Sequence, residues 1–168
     1  MKDSKLFIGS LLFSVLFLFV SSATLGAKTK ISGKMTGKVV KQEKAEISDV
    51  EGHMLQMTVS QGSNAGEEMG GAQFENCTTS DTKKGNGMHQ GYSTFTLNGD
   101  MWISKFEGKV TTTMSEDGKP NTTFEGKFTF IKGEGKYKDI KGGGTYKGRY
   151  LSESDWETEW EGYYDIGM

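Results

Sequence analysis

Phe124-Glu-Gly-Lys-Phe-Thr-Phe-Ile-Lys-Gly-Glu-Gly-Lys-Tyr-Lys-Asp-Ile-Lys-Gly-Gly-Gly-Thr-Tyr-Lys-Gly-Arg-Tyr150 is the stretch whose reading decides the fold. Aromatic rings recur at even spacings, at Phe124, Phe128 and Phe130 and again at Tyr146 and Tyr150, with glycines punctuating the turns between them. Alternate side chains reach opposite faces only in a strand. The stretch therefore predicts sheet that is wet on one side and packed on the other.

Neighbouring segments repeat this plan. Met101 to Met114 places Trp102, Phe106, Val110 and Met114 on one face with Ser104, Gly108 and Thr112, and Lys105, Glu107 and Lys109 on the other. Near the C-terminus, Trp156, Thr158, Trp160, Gly162, Tyr164 and Ile166 alternate with Glu157, Glu159, Glu161 and Asp165. A helix would scatter those acids round its axis, whereas a strand gathers them on the solvent side. Met88 to Leu97 sets His89, Gly91, Ser93, Phe95 and Leu97 on one side, and Asn98-Gly99 after it is a strong hairpin signal. Further strands are expected over Ile31 to Lys41, His53 to Ser60, Gln73 to Thr79, Asn121 to Ile131, Tyr137 to Lys141 and Gly144 to Leu151. Glu43 to Val50 reads as a turn or one short helical piece, and Gln61 to Gly71 as a long polar loop.

An antiparallel meander of this length has edges that invite aggregation, and closing the sheet removes them. The expectation is a single closed antiparallel β-barrel of about eight strands, all-β, with room for side chains or one small ligand. A two-sheet sandwich is the alternative.

Lys2 and Lys5 precede an apolar run from Leu6 to Val20, and Ser21-Ser22-Ala23 ends it with small residues. This predicts a signal peptide over 1–23, with an alternative cut after Ala27, and a single barrel domain over 28–168. The run is shorter than the ~20 apolar residues of a spanning helix. The expected location is therefore secreted or periplasmic, with no stable membrane anchor after cleavage. Cys77 is the only cysteine, so no intrachain disulfide forms, and it reads as a small buried hydrophobe. Net charge is −2, and lysines and acids are interleaved without a basic block, so nucleic acid is a poor partner.

Gly133-Glu-Gly-Lys-Tyr-Lys-Asp-Ile-Lys-Gly-Gly-Gly-Thr-Tyr146 resembles the Gly-Thr-Gly-Lys-Tyr-x-x-Ile-x-Gly-x-Gly-Thr-Tyr signature of the allene oxide cyclase and dirigent barrels. The chain looks most like small exported bacterial members of that superfamily. The stretch Gly91 to Asp100 is similar to the strand and Asp-Gly-Asp turn that precede the signature there. The likeness covers roughly the last half of the chain. It implies an eight-stranded antiparallel barrel, trimeric in plant members, where some members guide cyclisation of hydrophobic substrates by shape. The glycines form a turn and a hairpin and carry no chemistry themselves, so activity is not implied residue by residue.

The aromatic set Tyr92, Trp102, Phe106, Phe124, Phe128, Trp156 and Trp160, with Tyr146 and Tyr150, is the candidate ligand-binding surface. Glu75, Glu125 and His89 are acid–base candidates where they point inward, because burial would shift their pKa values toward use, and the favoured alternative has both glutamates facing solvent. His53 and His89 lie on different strands with no metal-ligand spacing, so no metal site is expected. No cofactor motif occurs. A Gly-x-Ser-x-Gly elbow is missing, and Gly143 to Arg149 lacks the Lys and Ser/Thr of a phosphate loop. Asn76-Cys77-Thr78 and Asn121-Thr122-Thr123 match glycosylation acceptors, but the overall character is bacterial. The expected function is an exported binder of a small apolar or amphipathic molecule. The alternatives are a cyclase or isomerase acting by confinement and an envelope interaction protein.

Overall fold

The computed structural model describes residues 28–167, so the expected leader lies outside the described residues. Eight strands follow one another: β1 Thr29–Ile47, β2 His53–Gly66, β3 Gln73–Lys83, β4 Asn86–Leu97, β5 Asp100–Met114, β6 Pro120–Glu134, β7 Ile140–Tyr150 and β8 Asp155–Ile166. Each pairs antiparallel with the next, and β8 returns to β1, so the sheet is a closed barrel. That closure replaces the sandwich alternative and leaves no free edge between first and last strands.

Three expectations are corrected. Glu43 to Ile47 is neither turn nor helix. After a bulge between Val39 and Lys41, β1 leaves β8 and runs on beside β2, pairing Lys41 to Ile47 with Val59 to His53. Gln61 to Gly66 is strand, not loop, and pairs with Gly33 to Lys38. Its polar residues misled the reading because the barrel interior beside it is itself polar. Tyr137 to Lys141 is not one strand: Gly135–Tyr137 forms a 3₁₀ turn and β7 starts at Ile140.

The connections alternate between the two ends of the barrel. At one end, Asn98 and Gly99 take φ of 54° and 91°, the pair of positive values a type I′ turn requires. Asp100 Oδ1 then accepts the backbone N–H of Lys136 at 2.9 Å, clamping the β6–β7 turn to the β4–β5 turn. Tyr137, only 1 % exposed, drops inward onto Trp102 with ring centres 4.4 Å apart, and Trp102 stacks on Phe95 at 5.0 Å. Met69 and Ala72, from the short β2–β3 loop, are buried beside them in the same core with Ile140 and Tyr164. This end is a stopper of side chains. The first half of the family-like signature, Gly133 to Ile140, is therefore a structural plug with Tyr137 in the core, while its last residue, Tyr146, stands in the wall on β7.

Within the wall, facing residues form rows that wind round the barrel. One inward row runs Ser60, Asn76, Ser93, Ser104 across β2 to β5. Another runs His89, Gly108, Gly126, Tyr146, Trp160, Gly33 across β4 to β8 and back to β1. Glycines in the second row let the rings lie flat against the wall. A Cβ on Gly108 would stand 2.7 Å from the Tyr146 hydroxyl, and one on Gly33 would stand 2.7 Å from the Trp160 indole.

Candidate functional site

Above the stopper the side chains do not fill the barrel, leaving a cavity of about 110 Å³. Its wall has two unlike halves. From β5 to β8 it is aromatic: Trp102, Phe106, Phe124, Phe128, Phe130, Tyr146, Tyr150, Trp156 and Trp160. From β2 to β4 it is mostly small and polar: Thr58, Ser60, Asn64, Asn76, Thr78, His89 and Ser93. Aromatic rings contact one another edge-on, as between Phe124 and Trp156 at 6.0 Å and Phe128 and Trp160 at 6.1 Å.

Two hydrogen bonds tie the halves together. Asn64, 3 % exposed, donates to the carbonyl of Met69 and accepts the indole N–H of Trp160, both at 2.8 Å. His89 Nε2 lies 2.7 Å from the hydroxyl of Tyr146. The rings of Phe106 and Phe124 flank the imidazole, with centres 5.8 and 5.9 Å away. Burial among rings penalises a charged imidazole, and its pKa is pushed down to about 4. His89 is therefore neutral at physiological pH and shares one hydrogen bond with the Tyr146 hydroxyl through Nε2. Burial likewise pushes the Tyr146 and Tyr150 hydroxyls above the ordinary phenol range. None of the cavity-lining residues is an aspartate, glutamate, lysine or arginine, so the lining carries no net charge at neutral pH.

Asn76 differs from Asn64. It is 9 % exposed, and its Oδ1 is buried with no hydrogen-bond partner among the described residues. Its backbone neighbours in register, Ser60 and Ser93, are 4 and 5 % exposed, and Ser104 continues the row at 4 %. No side-chain hydrogen bond among the described residues engages these three hydroxyls. Buried polar groups normally find partners, so an unpaired carboxamide in a row of hydroxyls marks this half of the wall as unusual.

The structure brings Trp102, Phe106, Phe124, Phe128, Trp156, Trp160 and His89 to the cavity, with Tyr146 and Tyr150. Trp102 belongs as much to the stopper as to the cavity. Tyr92 is corrected and faces outward, and Glu75 and Glu125 also face outward, which removes them as acid–base candidates in the cavity. Tyr92 follows inward-facing Gly91, so the pleat turns its ring to the surface, where it is 50 % exposed. Glu75 sits between buried Phe74 and Asn76 and accepts Gln61 Nε2 at 3.0 Å on the outside. Glu125, one place after Phe124, lies in the outer face opposite Lys109 and Lys147. Cys77 is exposed, not buried, and pairs in register with Tyr92 on the outside. The buried position of Asn76 removes it as a glycosylation acceptor in the folded protein.

The polar half of the site escaped the sequence reading, apart from His89 and Ser93. Parity was the available signal: Asn76 is two places from Phe74, and a strand sends both the same way.

No family model matches the sequence, and no curated protein matches it. Among solved structures, the chain is similar to a DUF3224-family protein of unknown function from Shewanella oneidensis. That match has TM-score 0.55 and 16 % identity, and covers 84 % of this chain and 99 % of that one. The pterocarpan synthase dirigent protein GePTS1 matches with TM-score 0.47 and 11 % identity over 94 % of this chain and 100 % of that one. PsPTS1, a second pterocarpan synthase dirigent protein, matches with TM-score 0.46 and 10 % identity over 83 % and 97 %. What this chain shares with the Shewanella protein is the fold.

Proposed function

We propose that this protein is an exported binder of a small apolar or amphipathic molecule, held in the barrel above the stopper. One observation supports it most: the interior keeps a cavity of about 110 Å³ although rings and hydroxyls converge on it. A core evolved only for stability closes such space, because voids lose contacts that side chains would otherwise make. Trp156 and Trp160 line the cavity and report on it. Titration with a panel of lipids and aromatic compounds is expected to shift tryptophan fluorescence. A flat response across the whole panel overturns the reading.

A second reading, a cofactor-independent cyclase or isomerase acting by confinement, is favoured by the His89–Tyr146 hydrogen bond inside the cavity. On that reading, the neutral imidazole takes a proton and the tyrosine returns one. Replacing His89 by alanine then abolishes turnover and leaves binding intact. A solid, side-chain-filled barrel would have pointed to the envelope-partner reading, and the cavity supports the binding reading ahead of it.

Export places the domain outside the cytoplasm, secreted or periplasmic and without an anchor. The support is the leader-like sequence of 1–23. The apolar outer residues Leu55, Met57 and Tyr92, each 42 % exposed or more, support self-association into a homo-oligomer such as a trimer. Light scattering at several protein concentrations tests it.

A further inference from the structure

Where β1 and β8 pair, the sheet has no free edge, but that pairing ends at Lys38 and Asp155. Beyond the bulge, Lys41 to Ile47 has β2 on one side and, among the described residues, no strand on the other. β7 ends at Tyr150 and β8 starts at Asp155, so only the turn between them stands beside the start of this segment. Every residue from Lys41 to Glu46 is exposed. An edge of this kind presents unpaired backbone N–H and C=O groups, a template for one more strand. We propose that this edge docks a second copy of the same chain, the two edges pairing antiparallel about a two-fold axis at Ala45. This rests on the reading that the protein self-associates, and it names a surface that does so.

The charges select the partner. Charged side chains guard natural edges against indiscriminate pairing. Here their order, Lys41-Gln-Glu43-Lys44-Ala-Glu46-Ile47, is matched to its own reverse. A two-fold axis sets one residue opposite its own copy. An axis at Glu43, Lys44 or Glu46 places like charges directly opposite, which destabilises. An axis at Gln42 sets Lys41 opposite Glu43, but it also brings Ala45 across from Val39. The Val39 N–H is already bonded to the carbonyl of Ser154 at 2.9 Å, so the incoming strand would run into the β7–β8 turn. An axis at Ala45 sets Lys44 opposite Glu46 twice and Glu43 opposite Ile47, with a small side chain at the centre and the whole contact inside the unpaired segment.

Lys44 and Glu46 are available for this. No ion pair among the described residues engages either, whereas Lys41 and Glu43 hold each other at 2.9 Å. On β2, Leu55 and Met57 stand directly beside Ala45 and Glu43, so the exposed apolar patch borders the joint. A joint this short buries less than the ~1,600 Å² of a standard interface, and the dimer comes apart on dilution.

Sedimentation velocity over a range of protein concentrations tests the pairing. Lys44→Glu and Glu46→Lys each turn both contacts into like-charge pairs and should weaken self-association about tenfold. Mixed in equal amounts, the two variants should associate with each other about as tightly as the parent does with itself, because each charge then meets its opposite. The double variant, Lys44→Glu with Glu46→Lys, should regain the parent affinity. Parent self-association that neither single variant weakens overturns this inference alone and leaves the apolar patch as the joint. Weakening without rescue, in the mixture or in the double variant, also overturns it, since the register at Ala45 requires both. A parent that stays monomeric at every concentration overturns the self-association reading as well.

Discussion

His89 and His53 titrate in opposite directions, and each leaves a different mark on stability. Burial holds His89 near pKa 4 in the folded chain, against 6.5 unfolded. Between those values the unfolded state binds more protons, so stability rises with pH across that window. The swing is up to about 3 kcal/mol. His89→Gln should shrink the difference between urea midpoints at pH 5 and pH 7, at a cost of about 1 kcal/mol at pH 7 for the lost Tyr146 bond. His53 is held by Asp49 in the β1–β2 turn and by Asp81 of β3, the latter at 2.8 Å. These carboxylates raise its pKa, the Asp49 hydrogen bond most. Its contribution is therefore complete below pH 6.5 and is lost as pH climbs through the raised value. Asp49 in turn is lowered to about 2, chiefly by the His53 bond. The variant His53→Gln should lower the midpoint at pH 5 more than at pH 8. Cys77, exposed beside Tyr92, should be alkylated by iodoacetamide in the native protein without denaturant.

At the scale of elements, the stopper and the polar strands separate what is structural from what is functional. Tyr137 fills the stopper, and Tyr137→Ala should cost about 3–5 kcal/mol, read as a drop in the urea midpoint. Asp100→Ala removes one bond to the Lys136 N–H and should cost about 1 kcal/mol. Strands whose inner face is aromatic and outer face charged were readable in advance. In β5, Trp102 and Phe106 alternate with Lys105 and Glu107, and in β8 Trp156 and Trp160 alternate with Glu157 and Glu159. The Asn98-Gly99 turn was readable for its chemistry. In β2 and β3 that contrast inverts: Leu55 and Met57 face out, while Thr58, Ser60, Asn64 and Asn76 face in. Hydrophobic patterning assigns such strands to the wrong side, because it assumes the inside is apolar. Half the site was hidden for that reason.

Over the whole molecule, the charges of the outer surface contribute little to stability. Its ion pairs, such as Lys127–Glu107 at 2.9 Å and Lys132–Glu134 at 2.7 Å, are well exposed, and pairs of that kind are worth about 0–1 kcal/mol each. Raising salt to molar levels should therefore move the melting temperature by no more than a few degrees, a calorimetric check. Stability comes from ring closure and from the rings within. On the proposed export, the mature protein begins at Thr24, or at Lys28 if the second cut is used, and N-terminal sequencing that finds Met1 retained overturns it. Sealing one end of the barrel with Tyr137 and Trp102 makes it a cul-de-sac. For the proposed guest, arrival and departure would share the other end, where the tips join β1 to β2, β3 to β4, β5 to β6 and β7 to β8. Stiffening or trimming those tips would then speed or slow loading and unloading in equal measure, changing how long a guest stays without changing how much of it is held at equilibrium.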